Sequence, residues 1–241
     1  VLIVGVVGGS YPAFYLSGFN PVNVLKGKLT VRGGNAFFRK FLVVFQFAIS
    51  IFMLISTLIV FDQLQFMRNK DLGFEKERVV RLSLIEQALR EKAQGLIDRL
   101  KQAPEVAGVG MATSSPGLGI GKRLLKVEDN EGKLTDRGVD LFSADHDFVK
   151  TMGMEIVQGR DFSRDISSDT TYALLVNESM VKRMSWEVPI GKKFIFAGAG
   201  PNNTDIEKRV VGVVKDYHQN SLYDPIEPLM ILLDDDNRLL F

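Results

Sequence analysis

The chain has 241 residues, 46% hydrophobic and 24% charged, with a formal net charge of +1, averages that suit an ordinary soluble protein of one or two domains. The absence of cysteine excludes disulfides, thiolate catalysis and cysteine-based metal sites, and no basic stripe interleaved with aromatics offers nucleic acid a track for its phosphates. The charge is unevenly spread: no Asp or Glu precedes Asp62, whereas Lys26, Lys28, Arg32, Arg39 and Lys40 do, and the rest of the chain holds 25 basic and 29 acidic side chains.

In chain order, residues 1–19 are uncharged and contain Gly5, Gly8, Gly9 and Pro12. Small residues let helices approach closely inside a membrane, so this segment is read as the end of a transmembrane helix; a buried strand and turn is the alternative. Because Val1 stands within an apolar run, the chain is read as an internal fragment of a longer protein. Residues 20–40 form a basic linker in which Asn20 can cap a short helix that Pro21 begins and Gly27 ends. Five basic residues and no acid identify its side of the membrane as cytoplasmic.

Residues 41–61 run for 21 positions without a charge. At about 1.5 Å per residue a helix of this length matches the roughly 30 Å of a bilayer's hydrocarbon, so the segment is read as a transmembrane helix that crosses outward. Gln46, Ser50 and Thr57 fall near one side of it, the side expected to meet other helices. Residues 62–74 keep helical spacing through Phe61, Leu64 and Met67 or Arg68 and stop near Gly73, which predicts a periplasmic stalk; a flexible linker is the alternative.

Residues 75–241 alternate in kind and form the outer domain. A strand is predicted over 78–84, an amphipathic helix over 86–102 with Leu89, Leu96 and Leu100 among its buried positions, and a second strand over 106–112 before the breaker Ser115-Pro116-Gly117. This β-α-β order suits an α+β domain. A short helix follows around 177–184, then strands at 192–197 and 208–215, the last Val-rich as in a half-buried strand.

Few residues invite chemistry. Gly117-Leu118-Gly119-Ile120-Gly121-Lys122-Arg123 has three residues where a phosphate loop needs four, and Arg123 where the magnesium-binding hydroxyl belongs, so a mobile loop is the reading. Asp145-His146-Asp147 and Asp216-Tyr217-His218 contain the only histidines, but neighbouring side chains on a strand point to opposite faces, and neither triplet converges alone. Asp234-Asp235-Asp236 reads as a solvated turn, and Ser114-Ser115 lacks a nucleophile-elbow context. No catalytic, cofactor-binding or metal-ligating residue is singled out, and nothing here argues for an enzyme.

Several stretches together resemble the permease subunits of MacB/FtsX-like ABC transporters, particularly the long versions common in Bacteroidetes. They are SYPAFYLSGFNPVNVLKGK at 10–28, FRKFLVVFQFAISIFMLISTLIVFDQLQFMRNKDLGF at 38–74, MGMEIVQGRDFS at 152–163, LLVNESMVKRM with PIGKKF at 174–194, and VVGVVKDYHQNSLYDPIEPLM at 210–230. The resemblance implies a membrane protein fragment whose transmembrane α-helices carry an α+β periplasmic domain, the MacB-like periplasmic core, truncated at Phe241 and with a distal β-rich insertion. It implies a bacterial inner-membrane location, a cytoplasmic ABC ATPase subunit as partner, a permease dimer in the lipid bilayer, and mechanotransmission to a periplasmic partner or substrate, without chemistry or cofactor in the permease itself. An FtsX-like regulator of cell-wall hydrolysis and a membrane-tethered extracytoplasmic sensor are the competing readings.

Overall fold

The computed structural model describes residues 34–84, 92–234 and 239–241, together with 6, 9, 10, 13, 17, 86 and 89. The expected end of a span at 1–19 and most of the linker at 20–40 lie outside the described residues. The chain divides into two compact units, Val1–Arg68 and Asn69–Phe241.

The first unit holds one long helix, α1 (Gly34–Asn69, 36 residues), which takes in the end of the basic linker, the uncharged run and most of the stalk segment. Its length of about 54 Å exceeds the hydrocarbon thickness of a bilayer. Its apolar side chains are bare, Phe47 at 66% and Phe52 at 69% exposure among them. A helix in the core of a soluble protein would bury such residues; this one is long and apolar enough to cross a membrane. Its hydroxyls are satisfied internally, Ser50 Oγ donating to the Gln46 carbonyl at 2.9 Å and Thr57 Oγ1 to that of Met53 at 2.8 Å. That pattern removes the need for water inside a bilayer.

The second unit begins with a split β-α-β layer. β1 (Leu82–Ser83) and β2 (Met111–Ala112) are shorter than the strands predicted at 78–84 and 106–112, and α2 (Ala93–Gln102) lies within the helix predicted at 86–102, of which residues 87, 88, 90 and 91 are outside the described residues. β1 and β2 are not neighbours, because β10 (Leu239–Leu240) lies between them and pairs antiparallel with both. Two-residue strands offer α2 only a narrow floor. Ala93 and Ile97 are buried and Leu100 is half-buried, whereas Leu96, one position round the helix from Ile97, is exposed, as is Leu89, which precedes the regular helix. The buried stripe is therefore 93-97-100 rather than 89-96-100.

The rest of the unit is a ring of six strands. β3 (Gly121–Glu128) and β4 (Leu134–Ala144) form a hairpin, followed in the ring by β7 (Lys193–Phe196), β8 (Ile206–Val214), β6 (Ala173–Asn177) and β9 (Leu229–Leu233). β9 pairs parallel with β4 from Asp140↔Leu229 to Ala144↔Leu233, which closes the ring. Val127, Val139, Phe194, Val210, Leu174 and Met230, one from each strand, meet in a single core inside it. Met180 and Met184 of α5 (Glu178–Met184) join that core with Trp186, whose indole Nε1 donates to the Glu128 carbonyl at 2.8 Å.

A second core covers the outside of β4, β9, β6 and β8, where Phe142, Leu175, Val214 and Ile231 pack with α3 (Phe148–Thr151), Phe162 and Tyr217. With cores on both faces, the strand at 208–215 is not half-buried: Val210, Val213 and Val214 are all buried, as strands enclosed on both faces require.

The stretches QGRDFS, PIGKKF and VVGVV converge on β8. β5 (Ile156–Gly159) pairs with β8 antiparallel, the Arg160 amide donates to Val211 O at 3.0 Å, and the Gly191 amide to Val210 O at 2.8 Å. A Cβ on Gly212 would collide with the Arg160 carbonyl oxygen. Arg160 then turns back with two bonds, 2.6 and 2.7 Å, to Asp169 at the start of α4 (Asp169–Tyr172), a residue that is 2% exposed and whose carboxylate also accepts the Ser163 amide at 3.0 Å. The Arg160 guanidinium holds the Asp169 carboxyl below the ordinary carboxylate range.

Two outcomes are expected. Gly212→Ala should lower unfolding stability by about 1–3 kcal/mol through overpacking, measured by urea unfolding, while Gly119→Ala, whose Cβ meets nothing within 4 Å, should stay within about 0.5 kcal/mol. Asp169→Asn should cost about 2 kcal/mol at neutral pH. Because the folded pKa is depressed, that difference should be full above the unfolded value of about 3.9 and vanish as pH falls through the folded value.

Candidate functional site

The residues that follow α1 are tied into the second unit almost at once. The Asp71 Oδ1 accepts the Gly73 amide at 2.9 Å, a local turn that competes with helix continuation. Gly73 has φ +82°, and a Cβ there would lie 2.8 Å from both the Asp216 carbonyl oxygen and Tyr217 Cβ. Glycine is thus required twice over, for the left-handed backbone and for close passage beside the turn that follows β8. Leu72 O accepts the His218 amide at 3.0 Å, and the Glu75 amide donates to Met152 O at 2.9 Å.

Tyr217 anchors this crossing. It is 2% exposed, its ring meets Phe74 edge-on with centroids 6.4 Å apart, and burial pushes its phenol well up. Beside it, the Asp216 carboxylate accepts the Ser179 amide at 2.8 Å, Ser179 Oγ at 2.9 Å and Lys182 Nζ at 3.1 Å. The Asp216 amide in turn donates to Glu178 Oε2 at 3.0 Å. This reciprocal pair satisfies free donors at the start of α5, as a capping box does within one segment. Asn177 completes the connection: its Oδ1 accepts the Met180 amide at 3.0 Å and the Leu229 amide at 2.9 Å, and its Nδ2 donates to Glu227 O at 2.9 Å. The lead-in at 71–75, the turn at 216–218, α5 and β9 are therefore joined by one set of hydrogen bonds.

The other residues weighed from the sequence have packing roles. The loop at 117–120 is pinned rather than mobile, because the Gly117 amide donates to Gln219 O at 2.7 Å while Gln219 Nε2 donates to Ser115 O and Leu118 O; Gly121 onward is strand β3. Ser114 and Ser115 are buried, the latter accepting from Arg81 Nη1 at 2.8 Å. Asp145 is buried, which pushes its carboxyl up, and its Oδ1 accepts the Asp147 amide at 3.1 Å. Asp234 donates its amide to Ala144 O, and Asp235 and Asp236 lie outside the described residues. Among the described residues no group of three or more His, Asp or Glu side chains could hold a metal ion. Sequence reasoning missed Asn177 as a hub and Asp216 as a cap; only the Asn-Glu-Ser start of the predicted helix signalled the first.

The family described as MacB-like periplasmic core domain matches residues 41–237. The chain belongs to this family. It is the MacB-like periplasmic core of an ABC-type transporter permease together with an apolar helix long enough to cross a membrane, in a MacB/FtsX-like class that implies a cytoplasmic ATPase partner in general. Solved structures similar to it include the periplasmic region of MacB from Actinobacillus actinomycetemcomitans (18% identity over 66% of this chain and 71% of that one, TM-score 0.43). A domain of a putative permease protein from Porphyromonas gingivalis is 18% identical over 59% of this chain and 64% of that one, with TM-score 0.38. The extracellular domain of the noncanonic ABC-type transporter YknZ from Gram-positive bacteria is 13% identical over 66% and 79%, with TM-score 0.41. No curated protein matches the chain.

In this MacB-like core, Asp216→Ala should lower unfolding stability by about 1–2 kcal/mol, the cost of a lost helix cap, and should speed amide exchange at Ser179. An unchanged unfolding midpoint would remove Asp216 from the anchor.

Proposed function

We propose that the chain belongs to the permease of a bacterial inner-membrane transporter that couples ATP hydrolysis on a separate cytoplasmic ATPase to movement of its periplasmic domain, for export or extraction of a substrate. The permease performs no chemistry itself, carries no cofactor and works as a dimer. The observation that carries this reading is the shortness of the lead-in: α1 continues to Asn69, and by Gly73 the chain is bonded into the domain core. Only residues 70–72 separate α1 from this bonded segment. The anchored turn at 216–218 passes a movement of α1 on to α5 and β9 through Asp216 and Asn177.

The test is a Gly/Ser insertion beside Asn69 in the full-length permease expressed with its ATPase. ATP hydrolysis should persist while transport is lost, and unchanged transport would sink the coupling role. Co-purification of the permease with its ATPase in detergent is the second expected result; its failure would favour a membrane-tethered sensor. ATP-dependent activation of a cell-wall hydrolase without export would favour the FtsX-like regulator.

A further inference from the structure

The two ends of α1 differ in charge. Arg39 and Lys40 are the charged residues between Gly34 and Phe61, and no acid occurs before Asp62. The uncharged run 41–61 covers about 31 Å at 1.5 Å per residue, which matches the roughly 30 Å of bilayer hydrocarbon. Both basic residues therefore stand just outside the hydrocarbon, at the depth of the headgroups. At the other end Asp62 takes the equivalent place, and Arg68 follows about 9 Å farther on.

Helix direction makes the two ends more unequal still. The Cα–Cβ bonds of a helix tilt toward its N-terminus, so Arg39 and Lys40 lean out toward the phosphates, whereas side chains at 62–68 lean back toward the hydrocarbon. Phenylalanines line the basic end. Phe37, Phe41 and Phe45 recur every four positions and form one ridge. Phe37 is 78% exposed, and the rings of Phe41 and Phe45 lie nearly parallel, 12° apart with centroids at 6.0 Å. Lys40, three positions after Phe37, stands beside this ridge.

A cation at headgroup depth beside an apolar ridge that descends into the hydrocarbon matches the form of a phospholipid, whose phosphate meets the cation while an acyl chain lies along the rings. Arg39, about 100° round the helix from Lys40, adds a planar fork suited to two phosphate oxygens. With no acid nearby, the pair favours headgroups of net negative charge over zwitterionic ones, whose ammonium the same cations repel.

We propose that Arg39, Lys40 and the Phe37-Phe41-Phe45 ridge form a binding site for an anionic phospholipid in the leaflet at the N-terminal end of α1. The bound lipid fixes the depth at which α1 sits. The inference rests on α1 lying in a bilayer and involves neither ATPase nor substrate, so its failure leaves the permease reading standing.

The test uses the single tryptophan of the chain, Trp186, which is buried in the ring core and out of reach of lipid quenchers. Val44→Trp adds an indole one turn below Lys40. The full chain carrying it is reconstituted in vesicles of equal phosphatidylcholine and phosphatidylglycerol, with bromine on one lipid or on the other. Quenching should report a roughly three- to tenfold preference for phosphatidylglycerol, the scale set by one or two cations at a membrane surface. The preference should shrink in about 1 M salt. Arg39→Gln with Lys40→Gln should abolish it, whereas Arg39→Lys with Lys40→Arg and, separately, Arg68→Gln should keep it. No preference in the parent would overturn the proposal, as would a preference that survives the double glutamine change or disappears equally in Arg68→Gln. Loss of the preference to inorganic phosphate at constant ionic strength would also overturn it, because the site would then be one for free phosphate.

Discussion

When β9 pairs with β4 between Asp140↔Leu229 and Ala144↔Leu233, the sheet acquires an inside and an outside, and most of the packing depends on that closure. The inside fills with one apolar residue from each of six strands plus the two methionines of α5. The outside, over β4, β9, β6 and β8, needs its own cover and obtains it from α3, Phe162 and Tyr217. Closed rings leave few edges for stray pairing. The pairing of β5 with β8 brings the two backbones close together, which explains why Gly212 has no room for a side chain beside Arg160.

The outer core is where the domain receives the chain from α1. Tyr217 is at once a member of that core and the surface on which Phe74 and Gly73 rest. Asp216 and Asn177 then convert two neighbouring backbone turns into caps for α5 and a tie to β9. Buried polar side chains that satisfy several backbone groups rigidify their surroundings. The same side chains that finish the fold thus hold residues 72–75 against the domain, and the permease reading draws on that attachment.

The split layer is built on a different scale. Its strands are two residues long, its own core among the described residues is Leu84, Ala93, Ile97 and Val109, and Ala112 and Phe241 tie it into the outer core of the ring. Regions with few buried apolar contacts open at lower cost than ring-like cores.

The sequence alone determined the features that depend on local chemistry. An uncharged run of 21 residues predicts a helix that lipid or other helices cover, and the basic residues before Asp62 predict its orientation. Helix 177–184 and strands 192–197 and 208–215 were legible because periodicity and capping residues act within a few positions. The resemblance rested on QGRDFS, PIGKKF and VVGVV, but the reason for those residues is spatial, since they meet only on β8. Tertiary structure alone decided that β10 separates β1 from β2, that α2 buries Ala93 and Ile97 rather than Leu89 and Leu96, and that Asp216-Tyr217-His218 is an anchor. Each of these depends on a partner far away in the chain, and no local pattern carries the identity of that partner.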